Sequence, residues 1–576
     1  MILAALLVVA LASESHAAGL ALRVVKPIRS CADLMRTDLG RVADTRGEVT
    51  SAEQITTDKG LFCKVSAKFE PLILVTIYLP AEHWTQRYIQ NGNGSGAPGP
   101  NGFGYSGGCM PALNGEFVVG ANNLGHFLPD TPPAYTTTQG WEWAEDPQKR
   151  IDYAYRATHI NVLAGRALMK AYYGKEPRYS YFMGCSEGGR DALMEAQRFP
   201  DDFNGVVAGA PAALQAAQET TFHLWITQAN KRADGTNILM PEKRRLVHDA
   251  VLAQCDTLSG IRDGLLQDPA ACHFRPASIQ CSAGATDTKG CLTAEEATAV
   301  QKMYDGAHDA DGNALHFGLQ HGGEALWNLP NTPTAEPQGS RQAALSMAYL
   351  MLPQPDPAAA DYSHMVFSKA NFALGASLTS LYDATDTDLK PFAARGGKLI
   401  LWHGLSDFQI PPAATLAYYR GVQKFIGERA ADQFVRLFLL PGVGHCAGGD
   451  GYDQIDTLSA VMAWTELKQA PTQILTGKTA PQAPAPNAAG ASPRPVRPIA
   501  TPTPALIATR PVFQYPAVAR YSGKGDPADA ANYVSAASPE PAADMFVNEA
   551  ARLIRPDSHR SYVVRDGKLV ALGPHP

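Results

Sequence analysis

Residues 181–190 read Tyr181-Phe182-Met183-Gly184-Cys185-Ser186-Glu187-Gly188-Gly189-Arg190. An apolar run ends at a glycine, a serine stands two positions later, and two glycines open the next segment. The stretch fits G-x-S-x-G at a strand-to-helix turn, the pattern of a nucleophile elbow. An elbow holds its serine at a strained backbone angle, and side chains at the flanking positions would strike the neighbouring strand and helix. Glycine and serine are common, so the motif alone says little. Its context is what counts: residues 179–183 read as a strand and 188–199 as a helix.

The same alternation spreads in both directions and gives an α/β class. Upstream, residues 72–78 and 116–120 read as strands and 157–173 as a helix, while 205–209 is the next strand downstream. A second such region begins near Gly396. There 398–402 and 435–440 read as strands, and 456–467 as a helix with Leu458, Val461 and Met462 on one face. Between the regions the chain holds four cysteines, many polar turns and few continuous strands. The predicted architecture is an α/β-hydrolase fold in two parts, 18–215 and 391–576, with an inserted domain at 216–390 covering one end of the sheet. Residues 480–504 are rich in Pro and Ala and read as an extended linker. The tail from Ala505 onward is expected to pack back on the first domain.

The net charge of −6 argues against a nucleic-acid partner, which selects for a basic face. Residues 2–12 form an apolar run too short to span a bilayer. Ser15-His16-Ala17 then offers small residues around a cleavage point. Residues 1–17 therefore read as a signal peptide, although no Lys or Arg stands near Met1; a buried N-terminal strand is the competing reading. No later segment is apolar enough to cross a membrane. The expectation is a secreted or periplasmic protein, with no membrane association after signal removal. The nine cysteines suit that compartment, and none forms a CxxC pair, so zinc ribbons and thioredoxin-like sites are unsupported.

A serine hydroxyl becomes a good nucleophile only when a base takes its proton. In hydrolases with this elbow the chain order is Ser, then acid, then His. Asp407, in His403-Gly404-Leu405-Ser406-Asp407, follows the strand at 398–402 and is the acid candidate; capping the helix that starts near Pro411 is its other reading. His445, in Pro441-Gly442-Val443-Gly444-His445-Cys446, follows the strand at 435–440 on a glycine-rich loop. Of the fifteen histidines it alone combines a strand-end loop, glycine flanks and a place after the acid. His126 and His159 precede the serine, and His403 reads as a packed group that supports the site from behind the reacting residues. Cys185 and Cys446 adjoin the serine and the histidine. A disulfide between them would tie nucleophile to base across the sheet and hold them in hydrogen-bond reach; two buried free thiols are the alternative.

A Cys-Ser pair, a distant Asp and a His-Cys pair together resemble the tannase/feruloyl esterase family of α/β-hydrolases, which includes mono(2-hydroxyethyl) terephthalate hydrolase. The likeness runs from about Cys31 to Ser535, anchored on 184–190, 395–407 and 438–446. It implies Ser186 as nucleophile, His445 as base, Asp407 as its orienting acid, and a lid domain over the site. The oxyanion hole would use the backbone N–H of Glu187 and a second from the glycine-rich stretch 89–96, with Asn93 favoured and Gly94 next. The family pattern further implies the disulfides Cys31–Cys63, Cys185–Cys446, Cys255–Cys272 and Cys281–Cys291, leaving Cys109 free. A C-terminal bridge common in the family falls on Phe513 and Ser535 here, so both partners are absent. Residues 255–265 resemble the family's lid calcium loop, with Asp256, Ser259, Asp263 and the carbonyls of Ile261 and Leu265 as ligands to a structural calcium. Ser259 stands where the family has an Asp, and a simple Asx-rich turn is the other reading.

The expected activity is hydrolysis of esters of aromatic (phenolic) acids, galloyl or feruloyl for example, through an acyl-enzyme and without an organic cofactor. A terephthaloyl ester is the alternative substrate. An exported peptidase and a non-catalytic polyphenol-binding protein are the rival functions. Phe317, Trp327, Arg341, Tyr349 and Phe367 are candidates for the pocket lining, with lid core as the competing reading; an Arg341 facing the pocket could pair a free carboxylate on the acyl ring.

Overall fold

A computed structural model of the chain describes residues 19–57, 59–92, 115–126, 135–257, 259–480, 505–538 and 547–573. The predicted signal segment, the linker beyond Ala480, Asn93, Gly94 and Cys109 lie outside the described residues.

A nine-stranded sheet forms the centre. Its strands are β1 (Gly47–Thr57), β2 (Gly60–Phe69), β3 (Ile73–Pro80), β4 (Arg87–Asn91), β5 (Phe117–Asn122), β6 (Tyr179–Cys185), β7 (Gly205–Gly209), β8 (Lys398–Gly404) and β9 (Val435–Leu440). Their spatial order is β1-β2-β3-β5-β4-β6-β7-β8-β9. The first three strands and β5 pair antiparallel; from β5 through β4 to β9 all pairs are parallel. The parallel half is buried on both faces, and its strands are accordingly unbroken apolar runs such as Leu399-Ile400-Leu401-Trp402. β1 instead carries polar residues and is largely uncovered.

Helices α1 (Ala157–Tyr173) and α2 (Glu187–Arg198) precede and follow β6. Helices α3 (Lys243–Cys255) and α4 (Ala294–Asp305) belong to the segment between β7 and β8. Helices α5 (Pro412–Ile426) and α6 (Thr457–Leu467) flank the last strand. A buried Arg87–Glu466 pair locks α6 to β4, with Nε–Oε1 at 2.7 Å and Nη2–Oε2 at 2.6 Å, and the Tyr181 hydroxyl of β6 donates to the same carboxylate. Two planar hydrogen bonds make this the strong form of a buried ion pair.

β7 and β8 are neighbours in the sheet, yet about 190 residues separate them in sequence. That segment adds no strand to the sheet. It builds one apolar cluster of its own around Val247, Val300 and Trp327, and shares another, where Leu345, Tyr349 and Tyr382 pack with Trp141, Ile151 and Tyr153. Its two ends are stitched together: Ala384 N donates to Ala213 O at 2.9 Å, and Ala216 N donates to Asp383 Oδ1 at 2.8 Å.

β10 (Gln454–Ile455), just before α6, joins β11 (Gln473–Thr479) and β12 (Leu506–Phe513) in a small antiparallel sheet. β13 (Ala517–Tyr521) pairs β14 (Tyr533–Ala537), and β15 (Tyr562–Arg565) pairs β16 (Lys568–Ala571). The tail does not pack on the first region alone, as its composition suggested. Tyr515 N donates to Leu437 O of β9, Tyr521 N to Ser259 O and Ala550 N to Leu315 O of the inserted segment, and Tyr562 N to the Tyr155 hydroxyl. Composition marks this tail as ordinary globular chain but carries no record of which surfaces its backbone will meet.

Candidate active site

Three loops at the C-terminal ends of β6, β8 and β9 converge, the place where open parallel sheets present ligands with reactive groups. The tightest of them is the turn after β6. Ser186 has φ 67° and ψ −122°, a strained backbone for a residue with a side chain. Ser186 N donates to Gly209 O at 3.0 Å and Ala212 N to Ser186 O at 3.1 Å, so the neighbouring strand fixes that conformation. A Cβ on Gly184 would overlap the backbone of Gly188, and this close approach is why the position before Cys185 has no side chain.

Ser186 Oγ lies 2.8 Å from His445 Nε2, and His445 Nδ1 lies 2.7 Å from Asp407 Oδ2. An ionised carboxylate can only accept, so Nδ1–H donates to Asp407 and Nε2 is left to accept from the serine hydroxyl. Asp407 serves both roles open to it from sequence. Its Oδ2 receives the imidazole, and its Oδ1 accepts from Gln409 N at 2.8 Å and Ile410 N at 3.1 Å ahead of α5. Burial opposes ionisation of Asp407, but the imidazoles of His445 and His403 outweigh it and hold the carboxyl well below the usual range.

His403 is the packed supporting group expected of it, and it supports the acid directly. Its Nε2 lies 3.1 Å from both Asp407 Oδ2 and Ile410 O, two acceptors, so Nε2 carries the proton. Nδ1 then accepts from the Thr415 hydroxyl at 2.8 Å. Asp407 is thus gripped by two imidazoles and two amides, and has little freedom to turn away. His126 and His159 are elsewhere: one ring stacks on Trp143, the other on Phe199 beside Asp202.

The acid and base loops touch backbone to backbone, since a Cβ on Gly404 would overlap the carbonyls of Val443 and Gly444. Cys185 and Cys446 are bonded with Cα atoms 6.0 Å apart. The other three bridges join Cys31 to Cys63, Cys255 to Cys272 and Cys281 to Cys291.

Glu187 opens α2, where backbone N–H groups have no intrahelical acceptor and face outward with the positive end of the helix dipole. Its carboxylate points away into the protein. Arg190 Nε donates to Glu187 Oε1 at 2.8 Å, Gln215 Nε2 donates to Oε2 at 3.0 Å, and Arg190 itself is wholly buried against the carbonyls of Ala154 and Tyr153. The side chain next to the serine is therefore immobilised, and with it the amide in the turn.

The inserted segment reaches this site. Ser406 Oγ donates to Gly322 O at 2.9 Å, and Leu326 packs against Gly444, beside His445. Two groups not singled out from sequence belong to the surroundings. Burial, then His316, then His445 lower the His223 imidazole to about 4. Burial, with Glu187 nearby, raises Glu219 to about 8. Both sit on or beside the widened helical turn Gln218–Phe222, whose irregular winding a 3.6-residue period does not show. Of the five pocket candidates, Phe317, Trp327 and Tyr349 are buried in separate apolar clusters, Phe367 packs against the Trp225 ring, and Arg341 is half-buried. The loop residues Asp256, Ser259, Ile261, Asp263 and Leu265 lie after Cys255, at the end of α3.

The fold is shared with solved esterases. An esterase from Aspergillus oryzae matches with TM-score 0.70 and 22% identity, over 88% of this chain and 100% of that one. Tannin acyl hydrolase from Aspergillus niger matches with TM-score 0.64 and 20% identity, over 89% and 93%. The class is thereby that of α/β-hydrolase-fold proteins. The sequence model of tannase and feruloyl esterase matches residues 56–536. The chain is 31% identical over 518 residues to mono(2-hydroxyethyl) terephthalate hydrolase of Piscinibacter sakaiensis, covering 80% of this chain and 81% of that protein. It is 30% identical over 455 residues to a probable feruloyl esterase B of Aspergillus clavatus, covering 75% and 81%. This chain belongs to the tannase and feruloyl esterase family and is a carboxylic ester hydrolase. Among the described residues no helix is long and apolar enough to cross a membrane.

Proposed function

We propose that this protein is an exported serine esterase that hydrolyses esters of aromatic, phenolic carboxylic acids. The observation that carries the reading is the unbroken hydrogen-bonded line from Ser186 Oγ through His445 to Asp407. His445 Nε2 takes the hydroxyl proton as Oγ attacks the ester carbonyl. Asp407 keeps Nδ1 protonated and stabilises the imidazolium, and its own carboxyl stays ionised because the imidazoles of His445 and His403 both donate to it, against the opposing effect of burial. The Glu187 N–H faces the developing oxyanion, and Asn93 is the proposed second donor. The imidazolium then protonates the leaving alcohol. Water, deprotonated by His445, cleaves the acyl-enzyme and releases the acid. No step in this sequence calls on an organic cofactor.

Relatives named feruloyl esterase and mono(2-hydroxyethyl) terephthalate hydrolase support an aromatic acyl group. The segment Gly322–Leu326 (residues 322–326) against the acid and base loops supports a lid that excludes water from the pocket. Four disulfides support an oxidising destination, in keeping with a signal peptide at 1–17. A turnover panel tests the proposal: methyl ferulate, methyl gallate and mono(2-hydroxyethyl) terephthalate, each with wild type and Ser186→Ala. Turnover of at least one aromatic ester, abolished in the variant, is expected. Cleavage of peptide amides without aromatic-ester turnover would overturn it.

A further inference from the structure

We propose that Arg510 takes the place of a metal ion in the loop after Cys255, fastening the inserted segment to the C-terminal strands through an internal cation. Family resemblance implies calcium on Asp256, Ser259, Asp263 and the carbonyls of Ile261 and Leu265, and this chain's donor set does not fit it. Calcium takes about six to eight oxygens, carboxylates prominent among them. Ser259 supplies a neutral hydroxyl, and that hydroxyl donates its proton to Ile261 O at 2.6 Å. Two of the five ligand oxygens thereby satisfy one another. Asp263 is spoken for as well: Oδ2 meets Arg510 Nη1 at 2.5 Å, and Oδ1 accepts from Leu265 N at 3.3 Å. Asp256 Oδ2 accepts from Gly264 N at 2.8 Å, which leaves its buried Oδ1 as the one carboxylate oxygen among the loop's described residues without a hydrogen-bond partner, too few for a calcium shell. A divalent ion entering here would meet a guanidinium already on its second carboxylate.

Arg510 is seated as a structural cation would be. It is 4% exposed, its Nη2 donates to the Tyr533 hydroxyl at 2.7 Å, and its guanidinium carbon lies 4.3 Å from the Tyr533 ring centre and 4.8 Å from that of Tyr452. A planar, permanently charged group of weak hydration suits a carboxylate partner and aromatic faces together. The three groups come from β12, β14 and the loop before β10, so the cation ties this tail region to the inserted loop. Tyr521 N of β13, donating to Ser259 O at 2.7 Å, adds a backbone bond across the same seam. The seam carries no disulfide at Phe513 and Ser535, and the ion pair is a second fastening that requires neither sulfur nor metal.

The test uses the full mature chain, exhaustively dialysed against chelating resin. Thermal unfolding is followed with EDTA and with CaCl2, and CaCl2 is titrated calorimetrically. The wild type is expected to show the same Tm in both conditions and no binding heat, while Arg510→Met lowers Tm by about 2 °C or more. The double variant Ser259→Asp, Arg510→Met restores the acidic donor set, and its Tm is expected to rise with CaCl2. A wild-type Tm that falls on chelation and recovers with calcium overturns the proposal. So does calorimetric calcium binding by the wild type, or an Arg510→Met variant as stable as the parent. The wild-type titration decides the matter even where the double variant does not fold.

Discussion

At Asp407, one carboxylate oxygen accepts from His445 and His403 and the other from two amides. Asp407→Asn leaves the shape intact but puts an amide where a charged acceptor orients the imidazole. Its kcat should fall by about 10⁴-fold, read from initial rates at saturating ester, with unfolding little changed. Wild-type turnover in that variant would remove Asp407 from the reaction. Ser186, Asp407 and His445, which the structure brings within hydrogen-bond reach, could be proposed from sequence because each follows an apolar run and they keep one chain order. The grip on Glu187 was not. A Glu and an Arg three apart on a helix read as an ordinary surface pair. Only Tyr153, Tyr382 and Gln215, distant in sequence, bury that pair in the fold. His403 was expected as a packed group supporting the site, but its contact with the Asp407 carboxylate, four residues on, could be placed only once the turn was known.

Among the elements, the elbow and the base loop are joined by Cys185–Cys446, and the ends of the inserted segment by Asp383. The disulfide spans 261 residues of sequence, worth about 5 kcal/mol in the loop-entropy view. The double variant Cys185→Ala, Cys446→Ala is expected to lower both Tm and kcat, kcat by about tenfold or more, because serine and imidazole lose their common anchor. Full activity in it would limit the bridge to stability. Asp383 is a different case. Burial raises its carboxyl to about 7, against the opposing pull of the Ala216 amide and Arg190. The folded value lies above the unfolded one, so its proton stabilises the fold fully below about pH 4, and that contribution is lost as pH rises through about 7. Asp383→Asn should flatten the stability profile in that window and raise stability at pH 8, by on the order of 2–4 kcal/mol. Denaturant unfolding across pH 4–8 checks this, and an unchanged slope would contradict it. The strands β6 to β9 were readable as apolar runs because both sheet faces are covered. β1, polar along its length, gave no such signal, and the inserted segment hid its helices behind irregular turns.

For the whole molecule, a single sheet positions Ser186, Asp407 and His445, the segment between β7 and β8 reaches their loops, and the tail binds both. The expected two-part division rests on composition and on the return of strand-helix alternation near Gly396, and the neighbouring strands β7 and β8 stand about 190 residues apart in sequence. The course of the tail was not legible, because its attachments are scattered single bonds, such as Tyr562 N to the Tyr155 hydroxyl and the Tyr562 hydroxyl with Ser380, and none of them leaves a periodic trace. Every part of this arrangement serves one claim, that an aromatic acyl group is carried on the Ser186 oxygen. Rapid quenching of the enzyme with a turned-over aromatic ester, then tryptic mass mapping after reduction, measures it directly. The peptide spanning 179–190 is predicted to carry the acyl mass on Ser186 during turnover and to lose it as substrate runs out. An adduct on another side chain, or Ser186→Ala turning over at the wild-type rate, would contradict the account.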